Sequence, residues 1–302
     1  MGVMSSVKHV PSSKPAAPGI DRLSALLSRF RVRTHLFFSG SLCGLTPFEA
    51  QPGRAFLHVL RAGTLEVSHP QRLQGLPRRL RVSEPMLLFY PRAVTHRFHN
   101  PPREGSAFSC ATLDFEGGAH NPLVAALPPL IALPLREADG LQATLDVLFA
   151  ETDRVRCGSR LLADRLFEVV LIQLLRWLLD HPAQAGIRSG LILGLADPHL
   201  ARALVAVHAE PGAAWTLPRL AEAAALSRTT FAARFRQTVG TTPMDYVADW
   251  RITLACAGLR EGRAVKALAA ELGYGSAAAL SKAFKQRQGV APRAWPAREA
   301  PA

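Results

Sequence analysis

Four side chains in the N-terminal half could do chemistry together: Cys43, His58, His96 and Cys110. Each falls on or beside a strand-like run. His58 precedes the turn at Gly63, and His96 follows the turn at Pro91. Two thiolates and two imidazoles are a complete tetrahedral zinc set. Oxidation of either cysteine in such a set would eject the metal or form a disulfide. The four are far apart in sequence, so only the fold can bring them together. The alternative is that Cys43 and Cys110 are small buried hydrophobes and His96 a hydrogen-bonded loop residue. Cys157 and Cys256 lie on helix patterns and read as packing residues. No other catalytic constellation stands out, and the chain is not expected to be an enzyme.

A different chemistry is spelled near the C-terminus, on two helix faces. The first carries Arg228, Thr229, Ala232, Ala233 and Arg236; the second carries Ala278, Ser281, Lys282 and Lys285. Small residues at a helix start with basic residues farther along suit a helix laid in the major groove of DNA. The second face is bare: Ala277, Ala278 and Ala279 can touch a thymine methyl but cannot read a base by paired hydrogen bonds. Arg251, Arg234 and Arg287 are expected on phosphates, where they would position the protein without reading sequence.

The elements that carry these faces form an internal repeat. Leu220 to Pro243 and Leu268 to Pro292 align with one residue of slack: Ser227 answers Ser276, Phe235 answers Phe284, and Gly240 answers Gly289. Each copy predicts helix, tight turn, helix, with the serine as N-cap, apolar residues one turn apart inside, and Gly then Pro as the stop. Between the copies, Met244 to Leu259 predicts a long helix that would set the two second helices about 34 Å apart, one turn of the duplex. Together with "Leu272-Gly273-Tyr274…Ser276" and "Gly289-Val290-Ala291-Pro292…Trp295", this stretch resembles the DNA-binding domain of AraC/XylS-type transcription regulators. The resemblance covers roughly Leu200 to Trp295, about a third of the chain.

Upstream, residues 31–115 change texture to short β-rich runs broken by Gly, Pro and Asn, which predicts a sandwich or small barrel. "Glu84-Pro85-Met86-Leu87-Leu88-Phe89-Tyr90-Pro91…Thr95-His96" is similar to the second motif of cupin barrels. Residues 20–135 as a whole resemble the cupin-type sensor of one AraC branch. That branch includes regulators of reactive-chlorine response with cysteines and histidines at similar places. The dense His-x-His cluster and downstream Glu of cupin dioxygenases are missing. A cupin-barrel enzyme with an accessory helical domain is therefore the weaker alternative.

The expected organisation is α+β. A disordered tail (1–19) leads into the cupin-like sensor (20–135). A helical dimerisation or packing segment follows (136–185), then a linker (186–196) and an all-α DNA-binding domain (197–297) with helix-turn-helix units at 217–243 and 265–292. In the segment, Leu162, Leu166, Val169, Val170, Gln173, Leu174 and Leu178 form one stripe, and dimerisation through Arg160 to His181 is expected by analogy with such regulators.

The chain has 302 residues with 36 Lys and Arg against 23 Asp and Glu, a balance that suits an anionic partner. The surplus is shared, 14 basic and 8 acidic residues from residue 196 onward against 22 and 15 before it, so charge does not single out the DNA-binding end. Four cysteines do not make a disulfide scaffold, no apolar signal core opens the sequence, and charges interrupt the most apolar run. The expectation is a cytoplasmic homodimeric regulator, an activator or a repressor, with RNA polymerase a partner in the activator case. Its other partners would be promoter DNA and an unknown inducer, with zinc as the one candidate cofactor and no membrane.

Overall fold

The computed structural model describes residues 19–138, 140–154 and 156–295. All of the expected tail except Gly19 lies outside the described residues. After a short helix α1 (Ser24–Leu27) come strands β1 (Val32–Leu42), β2 (Gly44–Phe48), β3 (Arg54–Ala62), β4 (Leu65–Ser68), β5 (Arg79–Val82), β6 (Met86–Tyr90), β7 (His96–Asn100) and β8 (Ser106–Phe115). Helix α2 (Pro122–Ala126) and strand β9 (Ile131–Pro134) complete the domain. Two antiparallel sheets result, ordered β1-β8-β3-β6-β9 and β2-β7-β4-β5.

The central strands explain their own sequences. In β3, six consecutive residues from Ala55 to Leu60 are buried. Phe56 and Leu60 face the barrel interior with Phe48, Leu88, Tyr90, Phe98, Phe108 and Cys110. Ala55, Leu57 and Val59 face the other way, into the core shared with the helices. A strand covered on both faces reads as a continuous apolar run. In β7, with one covered face, burial alternates strictly.

Helices α3 (Leu141–Thr152) and α4 (Ser159–Asp180) pack over that outer face. Helix α4 buries Phe167, Val170, Leu171, Leu174, Leu175 and Leu178, whereas Leu162 and Val169 are exposed. The buried stripe is thus rotated from the expected one, because β1 meets α4 on the Ala163–Asp164 side: the Leu36 amide donates to the Asp164 carboxylate at 2.6 Å. The stretch expected as linker holds helix α5 (Leu191–Ala196), with Leu191, Ile192 and Leu195 buried. Those apolar side chains join a single core that runs from the cupin sheet into the C-terminal helices.

That core also takes in α1. Asp21 caps it by accepting from the Leu23 and Ser24 amides. Arg29 then donates to the carbonyls of His208 and Ala209 at 3.0 and 3.1 Å, and Phe30 meets Trp250 edge to face at 5.5 Å. These carbonyls are the open C-terminal end of the helix Pro198–Ala209, where a cation is favoured.

The C-terminal domain comprises α6 (Pro198–Ala209), α7 (Leu217–Ala223), α8 (Arg228–Val239), α9 (Pro243–Arg260), α10 (Val265–Glu271) and α11 (Ala277–Gln288). The α7–α8 and α10–α11 pairs are the two copies of the repeat. Their turns close in the same way, Leu226 N to Ala221 O in one and Tyr274 N to Ala269 O in the other. This closure needs a left-handed residue just past the helix. Gly273 fills that position in the second copy, but the first uses Ala225 at φ 52°. Left-handed alanine is strained, so Ala225→Gly is expected to stabilise the chain by about 1 kcal/mol and raise its melting temperature by roughly 2–4 °C. Calorimetry showing no gain would remove the strain argument.

Candidate nucleic-acid interface and the barrel histidines

Each second helix of the repeat is set by its own cap. Ser227 Oγ accepts from the Thr230 amide at 3.2 Å and Ser276 Oγ from the Ala279 amide at 3.1 Å. Phe231 and Phe235, and likewise Leu280 and Phe284, turn inward and are buried. This fixes the opposite face outward: Arg228, Thr229, Ala233 and Arg236 are exposed on α8, with Ala232 half-buried. On α11, Ala278, Lys282 and Lys285 are exposed and Ser281 is half-buried. Among the described residues no hydrogen bond or ion pair ties down the side chains of Arg228, Arg236, Lys282 or Lys285, which leaves four cations free for an anionic surface.

The three arginines expected on phosphates stand differently. Arg234 pairs with Asp197, the N-cap of α6, at 2.6 Å. Arg287 reaches from α11 to Asp249 and, at 3.3 Å, to Asp245 on α9. Arg251 donates from Nε to the Pro211 carbonyl and from Nη2 to the Ala213 carbonyl, both at 2.7 Å. Each guanidinium already serves an internal acceptor, so a phosphate contact would fall to its remaining N–H groups. The internal acceptors lie 37 to 42 residues away in the chain, beyond the reach of local pattern.

The proposed zinc quartet does not assemble, and among the described residues no three His, Cys, Asp or Glu side chains stand close enough to hold a metal ion. His58 and His96 do meet: their Nε2 atoms are 2.9 Å apart in the buried interior of the barrel. Cys110 is the cross-strand neighbour of His58 and faces the same interior. Cys43 is exposed, between β1 and β2. Cys110 pairs in register with Phe38, five residues before Cys43, so the two cysteines are about 17 Å apart along the strand direction at ~3.4 Å per residue. A disulfide needs Cα atoms within about 7 Å. Neither a tetrahedral zinc site nor a Cys43–Cys110 bridge fits this arrangement. Cys157, expected to pack, is exposed in the turn before α4, whereas Cys256 is buried as expected.

What occupies the barrel instead is a hydrogen-bonded aromatic stack. His96 donates from Nδ1 to the Val94 carbonyl at 2.9 Å, which leaves its Nε2 to accept from His58 Nε2–H. His58 Nδ1 is then a buried acceptor without a partner among the described residues. Tyr90 stacks on His96 at 4.0 Å and its hydroxyl bonds His69 Nε2 at 2.9 Å. Phe48 and Phe56 close on the pair at 4.7 to 5.7 Å. Desolvation holds His58 well below the ordinary imidazole value and His96 at about 3, so both are neutral near pH 7. The same burial pushes the Cys110 thiol up, away from the reactive thiolate. Sequence reasoning found His58 and His96 through their turns, but missed His69 and Tyr90, whose roles depend on strand register.

Residues 21–180 match the family described as Cupin, and residues 220–298 match the family described as Helix-turn-helix domain. The chain is 42% identical over 191 residues to a Streptomyces antibioticus protein named as an AraC-like transcription regulator, covering 62% of this chain and 61% of that one. It is 33% identical over 178 residues to the HTH-type transcriptional regulator AlkR of Acinetobacter baylyi, covering 57% of each. It is 27% identical over 240 residues to the RCS-specific HTH-type transcriptional activator RclR of Escherichia coli, covering 78% of this chain and 81% of that one. The chain spans about three fifths of the length of the first two of these relatives.

Proposed function

We propose that this chain, which belongs to the AraC-type regulators that join a cupin domain to a helix-turn-helix domain, binds double-stranded promoter DNA through α8 and α11 and thereby controls transcription. The observation that carries the reading is the pair of capped helices whose outward faces mix small residues with exposed cations, Arg228 and Arg236 on α8 and Lys282 and Lys285 on α11, that have no internal partner among the described residues. Two such faces joined through helix α9 suit successive major grooves. The relatives bear the names of transcription regulators, which favours regulation over catalysis. No helix among the described residues is long and apolar enough to cross a membrane.

The test is duplex binding by the purified chain across a salt series. Affinity should fall steeply with salt, with a slope near 0.9 for each phosphate neutralised. Thr229→Ala or Arg236→Ala is expected to cost roughly tenfold or more on a selected operator and much less on random DNA. Lys285→Ala should weaken both duplexes alike and reduce the salt slope by about one. Equal losses on operator and random DNA for all three variants would contradict this division of labour.

Signal reception is assigned to residues 20–135 and an unidentified inducer, since α1 carries contacts from that domain directly to α6 and α9. Dimerisation is assigned to the outward side of α4, where Leu161, Leu162 and Val169 are 64, 44 and 40% exposed. Leu162→Glu combined with Val169→Glu should shift sedimentation from dimer to monomer without lowering the melting temperature; an unchanged sedimentation coefficient would place the interface elsewhere.

A further inference from the structure

Arg251 joins three parts of the DNA-binding domain. It projects from α9 between the two helix-turn-helix units. Its two hydrogen bonds go to Pro211 and Ala213, in the loop that leads into the first unit. Its guanidinium carbon lies 5.8 Å from the centroid of the Tyr274 ring, in the turn of the second unit. Beneath it the two backbones interlock. A Cβ placed on Gly212 would stand 2.1 Å from the Glu271 carbonyl oxygen, and one on Gly273 would stand 2.2 Å from the Gly212 carbonyl oxygen.

Helix α9 connects the two units along the chain, and this junction adds a second tie between the first unit's lead-in loop and the second unit's turn. A helix of 18 residues is about 27 Å long, and small bends along it move its far end by ångströms. We infer that Arg251 is a positioning residue that fixes the distance and angle between α8 and α11, and so sets the half-site separation the chain accepts in DNA. The inference rests on the DNA-binding reading above. The fork of a guanidinium is suited to the task because it serves two carbonyls at fixed geometry while offering a planar face to the ring; an ammonium can do neither.

The test compares the full chain with Arg251→Lys and Arg251→Met. The probes are the tightest duplex of about 30 base pairs recovered by the wild-type chain from a random library, and derivatives with one base pair added or removed midway between the protected half-sites. One base pair shifts the half-sites by about 3.4 Å and turns one relative to the other, so the wild-type chain should lose roughly tenfold or more on the derivatives. Both variants should bind the parent duplex more weakly and lose less than about threefold further on the derivatives. Their salt slopes should equal that of the wild type. An unchanged spacing profile in both variants overturns the inference. So does a salt slope lowered by about one in Arg251→Met and restored in Arg251→Lys, which is the behaviour of a phosphate contact. If the Arg251 variants do not melt cooperatively, Tyr274→Leu removes the ring beneath the fork and should flatten the profile in the same way; a steep profile in it overturns the inference. If the wild-type chain binds no duplex in a salt-sensitive manner, the DNA-binding reading itself falls and takes this inference with it.

Discussion

Between pH 7 and pH 5 the folded chain is expected to lose about 4 kcal/mol of stability through His96 and His208 alone. Both side chains are fully buried, and desolvation first, aided at His208 by the charge of Arg29, holds each at about 3 against an ordinary value of 6.5. The folded chain therefore refuses protons that the unfolded chain accepts below pH 6.5. Stability is fully present above that value and falls as pH falls, until it is exhausted near pH 3. Over the two units from pH 7 to pH 5, each imidazole contributes about 1.9 kcal/mol to the loss. His58, which is also depressed by burial and by its histidine neighbour, adds to the loss in the same direction. Domains commonly hold about 5–15 kcal/mol in total, so urea unfolding should show the chain close to marginal at pH 5. The exposed carboxylates held low, Asp153 and Asp245 among them, titrate only at more acid values and do not blur this window. Stability that stays flat from pH 7 to pH 5 would mean that these imidazoles are hydrated or paired.

That acid sensitivity was not legible in the sequence, and the reason is physical. A histidine's environment is decided by strand register: His58 becomes interior because it opposes Cys110 and Leu88, while His99, next to the interior Phe98, is exposed and bonds Ser68. The same dependence defeated the zinc quartet, since nothing local places Cys43 outside the barrel and far from Cys110. The repeat, by contrast, could be read directly. A cap at Ser227, apolar residues at Phe231 and Phe235, and a stop at Gly240 act within a few turns of one another, and the structure reproduces each of them. The cupin texture was legible for a related reason, because β3 carries its burial pattern in its own composition, whereas β7, with His96 and Asn100 among its buried residues, does not. Long arginine side chains were the least legible. Arg234, Arg251 and Arg287 all sit on helix faces that suit a phosphate, and only tertiary folding shows that Asp197, the Pro211 loop and Asp249 reach them. Helix α5 fell in a stretch punctuated by Gly and Ser, where a linker was the reasonable expectation, yet Leu191, Ile192 and Leu195 could not remain in water at a cost of about 1.5–3 kcal/mol each.

Gly273→Ala is expected to destabilise the C-terminal domain by more than about 3 kcal/mol, the range reserved for clashes that the surroundings cannot relieve. Two effects combine there. The backbone is left-handed at φ 73°, which alone costs an alanine about 1 kcal/mol. The larger effect is contact: the new methyl would lie 2.2 Å from the Gly212 carbonyl oxygen and 3.1 Å from its Cα, both of them backbone atoms that no rotamer change can move. The protein supplies its own controls. Gly240 and Gly289 are also left-handed, at φ 88° and 76°, but no atom lies within 4 Å of the place a methyl would take, so Gly240→Ala and Gly289→Ala should each cost only about 1 kcal/mol. Ala225, at the matching turn of the first repeat, shows that the left-handed position by itself tolerates a methyl when no second backbone crosses it. Gly212→Ala, whose methyl would meet the Glu271 carbonyl oxygen at 2.1 Å from the opposite side, should be as damaging as Gly273→Ala without any left-handed strain at all. Equilibrium urea unfolding of the four single variants separates the two causes. If Gly273→Ala and Gly212→Ala fall no further than Gly240→Ala, the backbones between the two helix-turn-helix units are not interlocked, and the junction that Arg251 covers has room to slide.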